Sequence, residues 1–345
     1  MRSGLSYNLQ TDAELPPGND NDPKLGRFRS FAGEIQFKSL LSSPPSSSVS
    51  SASSNSYEED SGGHGHVFEV DIDGDSFALK IFKFFQIPVA RQKLGPIWSE
   101  RVDDKTLTFQ YDPFFAECRA YGRINEHRQE IRDKRDKTSK RNAAQSEKKS
   151  SKKRKTSTSG TTSNRKPREE MWTKGEIAVP CHGYLAVSAA KYEDFLSKEY
   201  GITDWSRPER DAKLSANKRQ PFRALVKTLV RSGLTVLNPQ KMLRDLKLLR
   251  SLGVFQRDIH AGNYGDGLLL DFSVAWTEPY WMADWLRDKG SPLEARQSKE
   301  LYQFDEVIAA SGIKTKVRAT PDPRFAKTRS RKKITSGHES YSELD

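Results

Sequence analysis

The chain has 345 residues, and its 58 Lys and Arg outnumber its 46 Asp and Glu, which gives a net charge of +12. That length suits one two-lobed domain with tails, and its 34% hydrophobic content lies below the globular norm, which indicates low-complexity segments. Two cysteines inside apolar segments favour a reducing compartment without a disulfide framework, and the lack of a signal peptide or of any apolar run near 18 residues predicts a soluble protein with no membrane contact.

The N-terminal part of the chain is rich in serine. Residues 42–56 contain ten serines in fifteen positions, together with Pro44 and Pro45. Such a composition buries too little apolar surface to order itself. We therefore expect residues 1–61 to be largely disordered, with the Ser-rich stretch acting as a linker.

Two strands are predicted next. Residues 66–72 and 76–84 alternate apolar and polar positions, and Asp73-Gly74 between them is a type I′ hairpin signal. The second strand places Lys80 in the position of the phosphate-binding lysine of a V-A-I-K strand.

A glycine pair precedes these strands. Gly63 and Gly65, followed by Val70, match a G-x-G-x-x-G-x-V nucleotide loop except that Phe68 stands where the third glycine belongs. We expect Gly63 and Gly65 to contribute to a degraded phosphate-covering loop, with Phe68 crowding its turn.

A helix is predicted over residues 112–124. Phe114, Cys118 and Tyr121 fall on one apolar face, and Gly122 is a packing point. Glu117 on this helix is the candidate partner of Lys80, as in a kinase where a helix glutamate holds the strand lysine.

The excess positive charge lies in one insertion. Residues 127–168 carry 16 Lys and Arg against 4 Asp and Glu, a balance of 16 − 4 = +12 that accounts for the whole net charge. The segment is polar and lacks aromatic residues, so it is predicted to be a disordered loop. Lys152, Lys153, Arg154 and Lys155 form a short run typical of a nuclear import signal or a nucleic-acid patch, although a merely solvated loop is also consistent with it. Residues 327–333 are a lesser basic run in the C-terminal tail.

The following segments complete the predicted fold. Residues 177–187 are predicted to form two short strands around a turn at Gly183, residues 203–221 a polar connection, and residues 222–232 a helix. Asn238 is an N-cap, Pro239 the first helical residue and Gly253 the end of a further helix. The last helical material is expected in residues 280–287 and 293–310.

The loop after that helix carries the most specific motif. Asp258 and Asn263 have the D-x-x-x-x-N spacing of a kinase catalytic loop, and Asp271 begins a D-F-S sequence where a kinase has its metal-binding D-F-G. His260 is expected to have a structural role in the loop. No histidine pair has a metal-ligand spacing.

Glycine loop, strand lysine, helix glutamate, D-x-x-x-x-N and D-F-x follow one another in kinase order. We therefore predict an α+β, two-lobed protein-kinase-like fold with a small antiparallel N-lobe sheet and a truncated helical C-lobe. The predicted boundaries are N-lobe 62–126 and 169–200, disordered insertion 127–168, C-lobe 201–310 and basic tail 311–345.

The chain also resembles the fungal kinetochore Sim4 complex subunit FTA2 family, whose members carry a protein-kinase-like domain. The resemblance runs from about Lys24 to about Tyr280, and it rests on FALKIFKFF, DPFFAECRAYGRI, VPCHGYLAV, RALVKTLV and LRDLKLLRSLGVFQRDIHAGNYGDGLLLDFSVAWTEPY. It implies a nuclear, centromere-associated subunit of an inner-kinetochore assembly whose partners are other subunits of that assembly.

Departures from an active kinase bear on catalysis. Gln256 replaces the histidine of H-R-D, Ser273 replaces the glycine of D-F-G, and Trp276 follows too soon for a normal activation loop. The short loop is also similar to that of aminoglycoside and choline phosphotransferases. We therefore expect a structural kinetochore subunit with a weak or inactive kinase-like domain.

Two alternatives stay open. In an active ATP- and Mg²⁺-dependent phosphotransferase, Lys80 would hold the phosphates, Glu117 would position Lys80, Asn263 and Asp271 would bind Mg²⁺, and Asp258 would be the base. In a tethering module, the basic insertion would bind centromeric DNA or acidic proteins.

Overall fold

The computed structural model describes residues 22–28, 34–42, 63–94, 99–150, 176–230, 237–280 and 299–319. Within 99–150, side chains are described up to residue 140. Most of the Ser-rich stretch, the basic run from Lys152 to Lys155 and the basic C-terminal run lie outside the described residues.

The described strands are Ile35–Leu40 (β1), Gly65–Ile72 (β2), Asp75–Phe82 (β3), Cys181–Val187 (β4), Phe222–Thr228 (β5), Val254–Phe255 (β6), Tyr264–Gly265 (β7), Leu268–Leu269 (β8) and Trp276–Thr277 (β9). The described helices are Ile87–Leu94 (α1), Asp104–Tyr111 (α2), Pro113–Ser150 (α3), Ala189–Tyr200 (α4), Glu209–Ala212 (α5), Pro239–Ser251 (α6) and Lys299–Ala310 (α7), with short 3₁₀ turns at Ala216–Lys218 and Ala261–Asn263.

Strands β1 to β5 form one antiparallel sheet in the order β1-β2-β3-β5-β4. Asp73 and Gly74 join β2 to β3 with φ values of 53° and 88°, which is the positive-φ pair that a type I′ turn requires. The two strands and the hairpin predicted from the sequence are confirmed. Together with the helices, this sheet confirms an α+β protein.

The sheet is covered on both faces, because successive residues of a strand point to opposite sides. Its outer face packs against α4 and the connection after it through the residues Phe68, Leu79, Ile81, Val226, Tyr192, Leu196 and Trp205. Its inner face shares a second core with α3, α6 and the segments after them, through the residues Phe82, Leu225, Phe114, Tyr121, Leu246 and Phe272. The predicted site residue Lys80 lies on the inner face, towards α3.

Strand β5 corrects the helix predicted over residues 222–232. Ala224 and Val226 lie in the outer core and Leu225 in the inner core, so an almost continuous apolar run serves both faces of a central strand. Periodicity alone does not separate such a run from a buried helix. The sheet therefore extends to Thr228, beyond the predicted N-lobe boundary at residue 200.

Two further expectations need correction. Residues 177–187 do not form two strands: β4 is one strand with a register shift between Cys181 and Gly183, and Ala178 makes only an isolated bridge to Leu269. The predicted turn at Gly183 is this bulge. Helix α4, bounded by the N-cap Ser188 and by Gly201 in the left-handed conformation, was not predicted.

Helix α3 also corrects the first part of the disordered loop predicted over residues 127–168, because it continues to Ser150. Residues 151–168 lie outside the described part of the chain. The sequence has no Gly or Pro between Arg123 and Ser159, and its Lys, Arg, Glu and Gln are good helix formers. Side-chain pairs one turn apart also stabilise the helix. For example, the Gln129 side-chain amide donates to Asp133 Oδ1 at 2.8 Å. The buried first half nucleates the helix, and the polar half propagates it.

Candidate functional site

Strand β3 and helix α3 bring Lys80 and Glu117 together. Helix α3 begins after Asp112, whose carboxylate accepts the Phe114 amide at 2.9 Å, and its apolar face then packs under the sheet. This orientation buries Glu117 completely and places its Oε2 2.8 Å from Lys80 Nζ, with only 5% of the lysine side chain exposed. The two residues that the sequence paired are thus in direct contact.

Helix α6 and the loop after it position the second group of residues. Asn238 caps the helix by accepting the Lys241 amide at 3.0 Å, and Gly253 ends it with a φ of 73°. A tight hairpin of β7 and β8 then turns the chain back, so that the Leu270 amide donates to the Asn263 carbonyl at 2.9 Å. Asn263 therefore lies beside the residue that precedes Asp271.

Asp271 reaches the same place from the other side. Its Oδ2 lies 2.6 Å from Lys80 Nζ, and its Oδ1 accepts the Ser273 amide at 2.7 Å. Burial raises the pKa of this carboxyl, but the ammonium charges of Lys80 and Lys227 outweigh burial and hold the pKa well below its usual range. The next residue, Phe272, is buried edge-on against Tyr121 of α3, with 5.2 Å between the ring centroids. Asp271 is therefore an anion held against Lys80.

Lys227 belongs to this site, although the sequence analysis missed it. It lies on β5 opposite Ala78 of β3, and its Nζ hydrogen-bonds to Glu117 Oε1 and, at 2.7 Å, to the Leu270 carbonyl. Burial lowers the pKa of this ammonium, yet Glu117 and Asp271 overcome burial and raise the pKa above its ordinary value. Lys227 was missed because residues 222–232 were predicted to form a helix. In a strand, Leu225 and Lys227 lie on the same face, so a strand prediction would have placed Lys227 on the inner face.

Lys80, Glu117, Lys227 and Asp271 form one ion-pair cluster with two positive and two negative groups. Glu117 uses a different oxygen for each lysine, and Lys80 bridges the two carboxylates. Buried charges are tolerated when each has a partner, and the loss of one partner leaves another charge uncompensated. The cluster is complete within the protein itself.

Asp258 lies beside the cluster in a second arrangement. The Asn263 side-chain amide donates to the Asp258 carbonyl at 2.9 Å and to its Oδ2 at 3.2 Å. His260 Nε2 lies 3.4 Å from the same Oδ2, and both of these side chains are nearly half exposed. The hydrogen bond with His260 lowers the pKa of Asp258 and raises that of His260. The structure thus brings Asp258 and Asn263 together and adds His260 as a partner.

This pairing predicts a titration that nuclear magnetic resonance can follow. The His260 imidazole should titrate with a midpoint above its ordinary 6.5, and Asp258→Asn should move that midpoint down because the carboxylate is removed. The pair stabilises the fold at those pH values below 6.5 at which Asp258 is ionised, and the contribution disappears as the pH rises through the folded pKa of His260. The other histidines serve as internal references. An unchanged His260 midpoint in Asp258→Asn would contradict the pairing.

The glycine pair lies at the start of β2. Gly63 is in the turn before the strand, and Gly65 pairs with Phe82, where an added Cβ would collide with the Ile81 carbonyl. Phe68 does not crowd a phosphate-covering turn, which corrects our expectation. The Phe68 side chain points to the outer face of the sheet and packs against Phe37, with 5.2 Å between the ring centroids. Residues 43–62, between β1 and β2, lie outside the described part of the chain.

The segment after Asp271 turns back at once. Trp276 pairs with Phe255 in a two-stranded sheet of β6 and β9, and Tyr280 stacks on Trp276 with 4.6 Å between the rings. The Arg257 guanidinium lies 4.1 Å over the Trp276 ring. Residues 274–280 therefore pack against β6, the strand that leads into the Asp258 loop. Gln256, which follows β6, donates to the Asp271 carbonyl at 2.5 Å.

Within the described residues, no group of three or more His, Cys, Asp and Glu side chains is arranged to hold a metal ion. Across the same ranges, no helix has the length and apolar character needed to span a membrane.

Comparisons with known proteins give one match. The family model described as Kinetochore Sim4 complex subunit FTA2 matches residues 11–133 and 133–276, which is more than half of the chain. No curated protein and no solved structure matches the chain.

Proposed function

Because the chain belongs to the kinetochore Sim4 complex subunit FTA2 family, we propose that it is a structural subunit of the inner kinetochore. It is built on a kinase-like domain, and its role does not require catalysis by that domain. Family membership makes the chain a subunit of a kinetochore complex, located in the nucleus at the centromere. Its partners include other kinetochore subunits.

The kinase-like part of the proposal is supported by the order and contacts of the site residues. In protein kinases a lysine on the third strand pairs with a helix glutamate, and a metal-binding aspartate follows the catalytic loop. Here Lys80 on β3 contacts Glu117 on α3 and Asp271 after the loop. The five-stranded antiparallel sheet and the D-x-x-x-x-N loop after a capped helix agree with the same interpretation.

One observation supports the non-catalytic part of the proposal: the charged groups of the ion-pair cluster are all paired with one another. In an active kinase the strand lysine and the metal-binding aspartate are used on phosphates and Mg²⁺. In this chain Lys80 lies directly on Asp271, and Lys227 takes the second oxygen of Glu117. All four charges thus have a partner of opposite sign within the protein.

In this arrangement Asp271, the carboxylate best placed to hold the Mg²⁺ of a nucleotide complex, is engaged with Lys80. Mg²⁺ prefers carboxylate and other oxygen ligands in octahedral geometry. Both oxygens of Asp271 are engaged, by Lys80 and by the Ser273 amide, whereas the Asn263 NH₂ group donates to Asp258, so only the amide oxygen of Asn263 is a possible metal ligand. Binding of Mg²⁺ by Asp271 would require Lys80 to move off that carboxylate.

A phosphotransferase acting on a small molecule is the alternative enzyme function. The Asp258 carboxylate, with 43% of its side chain exposed, is accessible as a general base, and the Lys80–Glu117 pair is formed. In the described residues, the segment 274–280 turns back at once onto β6, which favours a small substrate over a protein substrate.

The proposal predicts the result of a nucleotide titration. We expect the full-length protein to bind ATP no more tightly with Mg²⁺ than without it, and to transfer no phosphate to a protein substrate. Asp258→Asn should leave cell growth and centromere localisation unchanged, because the carboxylate is not used for catalysis. An active enzyme would instead lose about 10² to 10⁴ in rate with the general base.

Two outcomes would decide for the enzyme. One is Mg²⁺-dependent ATP binding with phosphotransfer that Asp258→Asn abolishes. The other is loss of cell growth in Asp258→Asn while the protein stays folded and assembled. Glu126→Gln, on the exposed side of α3, is the matched control for expression and charge, since Glu126 lies outside the cluster.

The extension of α3 favours a second, compatible function. Residues 132–140 are all exposed, and residues 128–140 carry six Lys and Arg against three Asp and Glu. From Arg128, which still contacts the Ala178 carbonyl, the helix runs to Ser150 over about 33 Å. We name residues 128–150 the basic arm. We propose that it binds DNA phosphates, because a projecting basic helix suits a polyanion better than a compact acidic site.

A further inference from the structure

Residues 22–28 cross the domain in an extended conformation and contact both α3 and β4. The Phe28 amide donates to the Tyr184 carbonyl at 2.8 Å, and the Tyr184 amide donates to the Gly26 carbonyl at 3.2 Å. Arg27 and Tyr184 thus form a parallel bridge at the edge of the five-stranded sheet. We call residues 22–28 the latch segment.

Two glycines allow the backbone of the latch segment to approach. A Cβ on Gly122 of α3 would lie 2.8 Å from the Lys24 amide nitrogen and from the Pro23 carbonyl carbon. A Cβ on Gly183 of β4 would lie 2.7 Å from backbone atoms of Gly26 and Phe28. These atoms belong to backbone and cannot rotate away. Both elements therefore need glycine where the latch segment crosses them.

Three side chains hold the latch segment in place. Leu25 is 3% exposed in the inner core that contains α3, and Phe28 packs edge-on against Phe77 with 5.5 Å between the rings. Asp22 is buried near Arg119, a fully buried guanidinium on α3. Burial lowers the Arg119 pKa to about 10, while the negative charge of Asp22 acts in the opposite direction.

The latch segment contacts α3 close to Glu117, a member of the ion-pair cluster. Arg119 and Gly122 lie two and five residues after Glu117, so the latch segment holds the turns of α3 that directly follow the glutamate. Glu117 in turn pairs with both lysines of the ion-pair cluster. A shift of these turns would therefore move Glu117 away from Lys80 and Lys227.

We propose that the latch segment positions α3, and through it Glu117, so that the ion-pair cluster forms only when residues 22–28 are seated. The segment is a positioning element rather than part of the cluster. This coupling holds whether or not the cluster is catalytic. It connects the N-terminal part of the chain to the site through backbone contacts on two glycines.

Gly122→Ala in the full-length protein tests the proposal. Alanine inside a helix normally stabilises it relative to glycine, so any loosening must come from the collision with the latch segment. By hydrogen exchange and mass spectrometry, we expect exchange in peptides covering residues 22–28 and 114–122 to be about tenfold faster or more. Helix α7, which is remote from the latch segment in sequence, should keep its exchange rates.

Chemical labelling of lysines separates positioning from general stabilisation. Lys80 and Lys227 expose only 5% and 8% of their side chains, so an amine-reactive ester should label them slowly in the unchanged protein. Gly122→Ala should raise their labelling rate about tenfold, in parallel with the exchange of the latch segment. Gly26→Ala is the matched control, because a Cβ there meets nothing within 4 Å, and it should change neither readout.

The proposal fails if Gly122→Ala frees the latch segment while the labelling of Lys80 and Lys227 stays as it was, since the segment would then only add stability. It also fails if Gly122→Ala and Gly26→Ala behave alike. If Gly122→Ala does not fold, Leu25→Ala removes a buried side chain of the latch segment without changing the sequence of α3. Hydrogen exchange and lysine labelling of this variant then decide.

Discussion

Glu117→Ala is expected to lower the free energy of unfolding by about 3–5 kcal/mol, because it leaves a buried ammonium without its carboxylate. Lys227 would lose its only ion-pair partner among the described residues, whereas Lys80 would keep Asp271 at 2.6 Å. Urea denaturation at constant pH measures the loss. Glu126→Ala is the control on the same helix, since Glu126 is exposed and should change stability by no more than about 0.5 kcal/mol.

A double substitution tests whether the loss comes from the unpaired charge. Glu117→Gln with Lys227→Met removes one negative and one positive group together, and the amide can still accept from Lys80. We expect this variant to be clearly more stable than Glu117→Ala, because removal of a buried pair costs less than removal of one partner. Simple additivity of the single substitutions, or a Glu117→Ala loss below about 1 kcal/mol, would contradict the cluster.

Deletion of residues 134–168 is expected to abolish most DNA binding while leaving the core intact. The described residues of the basic arm from 134 onward are exposed, so they contribute little to the packed core. Shortening a connection changes its closure entropy only slowly with length, and the midpoint of thermal unfolding should therefore stay nearly unchanged. Calorimetry of both proteins measures this. A large fall in the midpoint would show that the arm packs on the core.

The DNA part of this prediction rests on salt dependence. The affinity of the full-length protein for duplex DNA should fall as salt rises, with a slope of about −0.9 in log–log form for each phosphate neutralised, and the deletion should flatten the line. Replacing Lys134, Lys137 and Lys140 by glutamine keeps the arm helical and should reduce the slope by about 2.7 if all three contact phosphates.

Localisation completes this test. The deletion also removes Lys152 to Lys155, so impaired nuclear entry with an unchanged salt slope would assign the segment to import and reject the DNA proposal. Binding to an acidic protein in place of DNA would reject it as well. Unchanged localisation and an unchanged slope would leave the arm as a solvated extension.

Local signals in the sequence determined several elements and most of the site. The β2–β3 hairpin followed from alternation around Asp73-Gly74, because only a few residue pairs tolerate two positive φ values. Helix α6 followed from Asn238, Pro239 and Gly253, which satisfy or end the helix through their own backbone and side-chain chemistry. The same reasoning placed Lys80 on a strand and Glu117 on a helix, where the structure has them.

The tertiary structure alone decided what depends on distant neighbours. Residues 222–228 are a strand because β3 and β4 pair with them and cores cover both faces, and this pairing also brings Lys227 onto Glu117. The arm of α3 is helical because a buried first half nucleates it. The contact of residues 22–28 with Gly122 joins segments nearly one hundred positions apart. Propensity and periodicity act within a few residues, whereas these features arise from burial and pairing between remote parts of the chain.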